Sequence, residues 1–226
     1  MYIFQHVLLC LGGISLFLLG LRFMSQNMEL LTGNKMKTLL SSCTKNTGLC
    51  VLTGGLSTAV LQSSVATNVI VIGFVSNGIL SFYRASAVIM GTNVGTTITA
   101  QLVSLSGSSV FNVTALGGVM VFIGFILGFV RKKYSLEIGN VLMGFGMLFL
   151  GLDIISECVG VFKSYQAFCN IFLVDSPILL LLNGILITSI MQSSSAVSSV
   201  IIVLASNGLI GFDSATFLIL GANIGT

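Results

Sequence analysis

Between Asn46 and Val130 the chain carries one charged side chain, Arg84. A run of that length with a single charge does not wrap into a water-soluble domain, in which about a quarter of residues are charged. Over the whole chain 7% of residues are charged and 55% are apolar, and the mean hydropathy is +1.09. The chain therefore reads as an integral membrane protein, with room for roughly six or seven segments of about 20 residues. The net charge of +3 does not point to nucleic acid, because the nine Lys and Arg residues sit near segment ends, where they act as topology signals. The first apolar run, 7–21, lacks the basic start and A-x-A site of a secretory leader. Five cysteines (Cys10, Cys43, Cys50, Cys158, Cys169) show no metal-ligand spacing and read as small buried residues, with a Cys158–Cys169 disulfide left open.

Polar residues recur inside this apolar background. Residues 62–96 (QSSVATNVIVIGFVSNGILSFYRASAVIMGTNVGT) and 192–226 (QSSSAVSSVIIVLASNGLIGFDSATFLILGANIGT) align without a gap at an offset of 130, with fifteen of 35 positions identical. The identities include Gln-Ser-Ser, Ser-Asn-Gly and Gly-x-Asn-x-Gly-Thr, so a polar site is written twice. A shorter echo, Leu19-Gly20-Leu21 and Leu150-Gly151-Leu152, opens each copy.

The apolar segments are 7–23, 49–61, 65–80, 85–105, 113–130, 138–152, 178–191, 196–210 and 215 to the end. Segments 49–61 and 178–191 come to about 20 Å as helix, too short for about 30 Å of hydrocarbon. Each runs at once into Gln-Ser-Ser and a second short apolar run, the pattern of a re-entrant hairpin. With hairpins, Arg22, Lys35, Lys37, Lys45, Arg84, Arg131, Lys132 and Lys133 share one side of the membrane and Lys163 stands on the other. If 49–80 crossed once instead, that positive-inside bias would nearly vanish. Three full crossings then precede the second copy, which enters upside down. The expected fold is an all-α integral membrane protein of inverted-topology repeats, each with a re-entrant helical hairpin and an unwound transmembrane helix. The first repeat is 1–131 with hairpin 49–80, and the second is 138–226 with hairpin 178–210. The stretch 153–177 is then an extracytoplasmic loop. The second copy has no counterpart of 97–130, so a fragment or truncated product is expected.

Gln62, Ser63 and Ser64, and likewise Gln192, Ser193, Ser194 and Ser195, need hydrogen-bond partners, since an unpaired polar group in hydrocarbon costs several kcal/mol. The serines are placed to cap the helices that follow, and two positive half-helix ends converging at the midplane would make an anion site. In Gly91-Thr92-Asn93-Val94-Gly95-Thr96 and Gly221-Ala222-Asn223-Ile224-Gly225-Thr226 the glycines and central Asn weaken a helix. An unwound stretch there would offer all-oxygen ligands to a hard cation. The alternative for single residues is that Ser and Thr bond the preceding turn and Gly permits close helix packing. Ser76-Asn77-Gly78 and Ser206-Asn207-Gly208 read as structural turns. An anion held by neutral donors alone is costly, which favours cation-coupled symport. An enzyme is disfavoured: the one histidine is His6 at the N-terminus, and no intramembrane acid or base stands ready to activate a serine. A structural scaffold is the third class.

The doubled QSS motif, each followed about 30 residues later by G-x-N-x-G-T, resembles the type II sodium-phosphate cotransporter family in its bacterial form. That resemblance implies sodium as the coupled ion, inorganic phosphate as the substrate, no organic cofactor and a multi-pass place in the cytoplasmic membrane. It implies phosphate contacts from Ser63, Ser64, Ser193, Ser194 and Ser195, and sodium contacts from Gln62, Thr92, Asn93, Thr96, Gln192, Asn223 and Thr226. A missing C-terminal helical segment or a PhoU-like domain is an implied partner. Two positions depart from the family pattern: Val65 replaces a third serine and Ala222 a hydroxyl, which bears on ion stoichiometry. A carrier for another small anion is the runner-up.

Overall fold

An apolar chain must satisfy its backbone N–H and C=O groups within each segment, and helices do this without help from neighbours. The computed structural model describes residues 2–41, 46–106, 112–130, 132, 134–163 and 176–226, and every element in them is an α-helix. These are α1 (Tyr2–Ser41), α2 (Thr47–Leu61), α3 (Ser64–Ser76), α4 (Phe82–Ser106), α5 (Val113–Gly128), α6 (Ser135–Phe162), α7 (Pro177–Met191), α8 (Ser194–Ser206) and α9 (Phe212–Gly225).

Two of them, α1 and α6, are long and apolar enough to cross a membrane. Both outrun the segments expected from hydropathy. The residues beyond each apolar run include Glu29, Lys35 and Lys37 in α1 and Glu157 in α6, all good helix formers, with no proline to stop the helix. Asp153 therefore lies on α6, not in the loop expected to begin with it. The rest of that loop, with Cys169, lies outside the described residues, so the Cys158–Cys169 pairing does too.

The helices group into two compact units: residues 1–22, 100–123 and 142–226 in one, 23–99 and 124–141 in the other. The first is held in part by glycines of α1 and α6. A Cβ at Gly20 would meet the backbone of Leu148 and Gly144, and one at Gly151 would meet Phe17. The second unit has a core of Leu40, Cys50, Val71, Leu80 and Val88, and its Asn140 amide donates to Asn27 Oδ1 at 3.0 Å.

Within one unit α2 lies against α4 and within the other α7 lies against α9, and the two pairings match residue for residue at the offset of 130. A Cβ on Gly54 would collide with the Val88 carbonyl, on Gly91 with the Val51 carbonyl, and on Gly95 with the Gly55 carbonyl. In the second copy the pairs are Gly184 with Leu218, Gly221 with Leu181, and Gly225 with Ile185. This corrects the expectation of an unwound helix. Helix α4 runs unbroken through Gly91 to Thr97, and α9 through Gly221 to Gly225. The glycines serve close backbone approach, and the packing they allow outweighs their weak helix propensity of about 1 kcal/mol each.

Gly91→Val and Gly221→Val should each destabilise the protein by about 1–3 kcal/mol through overpacking. Gly73→Ala, where a Cβ meets nothing within 4 Å, should be neutral or stabilising by up to about 1 kcal/mol. Thermal unfolding in detergent checks all three.

Candidate functional site

The two Gln-Ser-Ser motifs break the chain in the same way. Helix α2 ends on Gln62 at φ 52°, ψ 24°, and α7 on Gln192 at φ 53°, ψ 27°. This left-handed conformation is uncommon for a residue with a side chain and ends a helix sharply. Each glutamine N–H returns to the carbonyl four residues back, Thr58 at 2.8 Å and Thr188 at 2.6 Å. The next residue is extended, Ser63 at φ −145° and Ser193 at φ −149°. Their hydroxyls cap the new helices by accepting from Ala66 N–H at 3.1 Å and Ala196 N–H at 3.3 Å. The remaining first-turn N–H groups have no intrahelical partner and carry the positive end of the helix dipole, the chemistry that suits an anion. Ser64 is half-buried, Ser194 buried and Ser195 half-buried in these first turns.

Around the first tip most polar groups satisfy one another, although the buried Ser57 hydroxyl of α2 has no partner. Gln62 Nε2 donates to the Ala59 carbonyl at 2.7 Å, and Gln62 Oε1 accepts from the Thr99 hydroxyl at 2.6 Å. Thr92, fully buried, lies 2.7 Å from the Ile89 carbonyl and 3.3 Å from Asn68 Oδ1. Thr58 and Thr67 hydroxyls are 3.4 Å apart, and Ser25 of α1 donates to the Leu61 carbonyl at 3.1 Å. Thr96 bonds the Thr92 carbonyl in its own helix. Asn93 points elsewhere: on α4 the buried face is Gly91, Thr92, Gly95 and Thr99, and Asn93 is exposed.

The second tip is less complete. Thr188, the counterpart of Thr58, is buried with its hydroxyl unpartnered, because Val197 stands where Thr67 does. Ala222 replaces Thr92, and Ser198 replaces Asn68. Gln192 is exposed and Asn223 half-buried, while Thr226 bonds the Ala222 carbonyl at 3.0 Å. Ser57, Thr67, Asn68 and Thr99 are not part of the repeated motifs, because they do not recur at the offset of 130, and Thr58, which recurs as Thr188, lies upstream of the aligned stretch. Their signal was available: Thr92 and Thr99 stand seven residues apart, two turns of helix, in an apolar segment.

A helical, apolar chain with two capped helix breaks that present neutral donors and acceptors belongs among membrane transport proteins. The chain is a member of the Na+/Pi-cotransporter family, whose model matches residues 16–157 and 169–226. It is 32% identical over 213 residues to "Uncharacterized protein YqeW" of Bacillus subtilis, covering 93% of this chain and 67% of that one. It is 28% identical over 224 residues to "Putative inorganic phosphate export protein YjbB" of Escherichia coli, covering 96% of this chain and 39% of that one. A shorter stretch of 95 residues is 36% identical to the human "Sodium-dependent phosphate transport protein 2B", covering 39% of this chain and 14% of that one. The chain thus spans about two thirds of the first relative and well under half of the others. No solved structure matches it.

Ser63→Ala and Ser193→Ala should each cost about 1 kcal/mol as lost N-caps. Thr99→Val, which strands Gln62 Oε1, should cost about 1–3 kcal/mol, whereas Thr99→Ser should retain most of the stability. Chemical or thermal unfolding of the four variants measures this.

Proposed function

We propose that this chain forms a sodium-coupled carrier for inorganic phosphate in a cell membrane. The observation that carries the reading is the helix break formed twice, with matching left-handed glutamine and capping serine, in a chain of this family. At the first tip Ser63, Ser64 and the free N–H groups of α3 donate to phosphate, and at the second Ser193, Ser194, Ser195 and α8 do so. Phosphate suits such donors because its oxygens are acceptors in every direction. Sodium takes oxygens of Gln62, Thr92 and Thr96 at the first tip, with Asn68 and Thr99 added by their position, and of Gln192, Asn223 and Thr226 at the second. Bound cations offset the anion's charge, which no Lys or Arg of α2, α3, α7 or α8 can do, since these helices contain none.

Each short helix pair is read as a re-entrant hairpin, and the two repeats as inverted in the membrane. Net direction follows the sodium and phosphate gradients. One relative's printed name says export and another's says sodium-dependent transport, and a coupled carrier accommodates both.

Radiolabelled phosphate uptake into proteoliposomes tests coupling: replacing sodium by choline at fixed pH and voltage should abolish accumulation. Gln62→Ala with Gln192→Ala should reduce it at least about ten-fold without loss of insertion. Uptake indifferent to sodium would sink the proposal. For topology, single cysteines at Asn46 and Ser81 in a cysteine-free background should label from the same side; opposite sides would mean a crossing.

A further inference from the structure

We propose a separate site for a small monovalent cation at the Asp153 carboxylate, beside the turn that ends the second hairpin. Asp153 lies on α6, a helix apolar enough to cross a membrane, nine residues before its end at Phe162. Its side chain is exposed on the surface of that helix, at the mouth of a small cavity. The Thr114 hydroxyl donates to Asp153 Oδ2 at 2.6 Å. That single proton leaves most of the carboxylate's roughly four acceptor positions open.

Other oxygens stand around the opening. Asp153, Ser156, Ser206 and Asn207 line a cavity of about 60 Å³, walled by the apolar Val103 and Ile202. Asn207 Nδ2 donates to Ser156 Oγ at 3.0 Å and to the Val203 carbonyl at 2.9 Å, and its Oδ1 lies 3.4 Å from Ser156 Oγ. The space suits one ion with a water or two. A single carboxylate with hydroxyl and amide oxygens matches a single positive charge, whereas divalent sites gather several carboxylates.

The first copy shows that the turn does not require this arrangement. Its glycine has the same conformation, Gly78 at φ 70° against Gly208 at φ 69°. There Asn77 is exposed and its amide donates to the Gly73 carbonyl of its own helix. At the offset of 131, Arg22 stands where Asp153 does and Ser25 where Ser156 does, and Ser25 spends its hydroxyl on the Leu61 carbonyl. The acid, and the serine turned toward the asparagine, belong to the second copy alone and are surplus to forming the turn.

The site is independent of the tip assignments, and its test is binding rather than transport. The purified chain in detergent is titrated with radioactive sodium at constant ionic strength in choline chloride, as wild type and with Gln62→Ala and Gln192→Ala together. Asp153→Asn should remove one sodium ion per chain, or weaken its binding at least about ten-fold, in both backgrounds. Ser156→Ala should weaken it by a smaller factor in the same direction. Because Asp153→Asn could fail to fold, Ser156→Ala decides the matter if it elutes as aggregate. Sodium binding unchanged in these variants, no saturable sodium binding in the parent, or displacement by calcium at far lower concentration than by sodium would each overturn the proposal. Loss of the tip-dependent sodium with retention of the Asp153-dependent ion separates this site from the carrier reading.

Discussion

The close approach of helix backbones through glycine is the interaction on which the rest of this structure depends. Lipid is as apolar as a leucine side chain, so helices in it are not driven together by burial and must gain from van der Waals fit instead. At Gly54, Gly91 and Gly95, and at Gly184, Gly221 and Gly225, there is room for backbone carbonyls of the facing helix and none for a Cβ. Each hairpin is thereby held against the helix that follows it in sequence. A short helix such as α2 or α7 would be marginal alone.

That support lets the chain afford a break. A left-handed glutamine followed by an extended serine gives up several backbone hydrogen bonds. The break returns some of them through the glutamine N–H and the serine cap, and leaves others as free N–H groups. What remains unsatisfied is a feature a ligand can use. Backbone satisfaction and binding capacity are thus two sides of the same local geometry.

The copies share this geometry but differ in what surrounds it. The first tip pairs Gln62, Thr92 and Thr58 with Thr99, Asn68 and Thr67, and leaves the Ser57 hydroxyl of α2 buried without a partner. The second leaves the Thr188 hydroxyl buried and unpartnered, since Val197 stands where Thr67 meets Thr58 in the first copy. A fold made by repetition needs the glycines and caps in both halves. It does not need the polar lining twice, and there the halves have diverged.

The helical class, the places where the helices break, the capping serines and the turns at Asn77 and Asn207 were all legible from residue order. They depend on local chemistry: apolar runs, a hydroxyl one residue ahead of a helix, a glycine free to take positive φ. The role of Gly-x-Asn-x-Gly-Thr was not legible, because a glycine that weakens a helix and one that admits a neighbouring carbonyl are the same letter. Nor was the length of α1 and α6, whose polar ends remain helical past the point where hydropathy falls. Asn93 looked like a ligand by its repetition, yet it falls on the exposed face of α4, and Thr99, unrepeated, meets Gln62. Sequence alone determined where the backbone must break. Only the tertiary structure decided which oxygens face the break, because that depends on which side of each helix its neighbour covers.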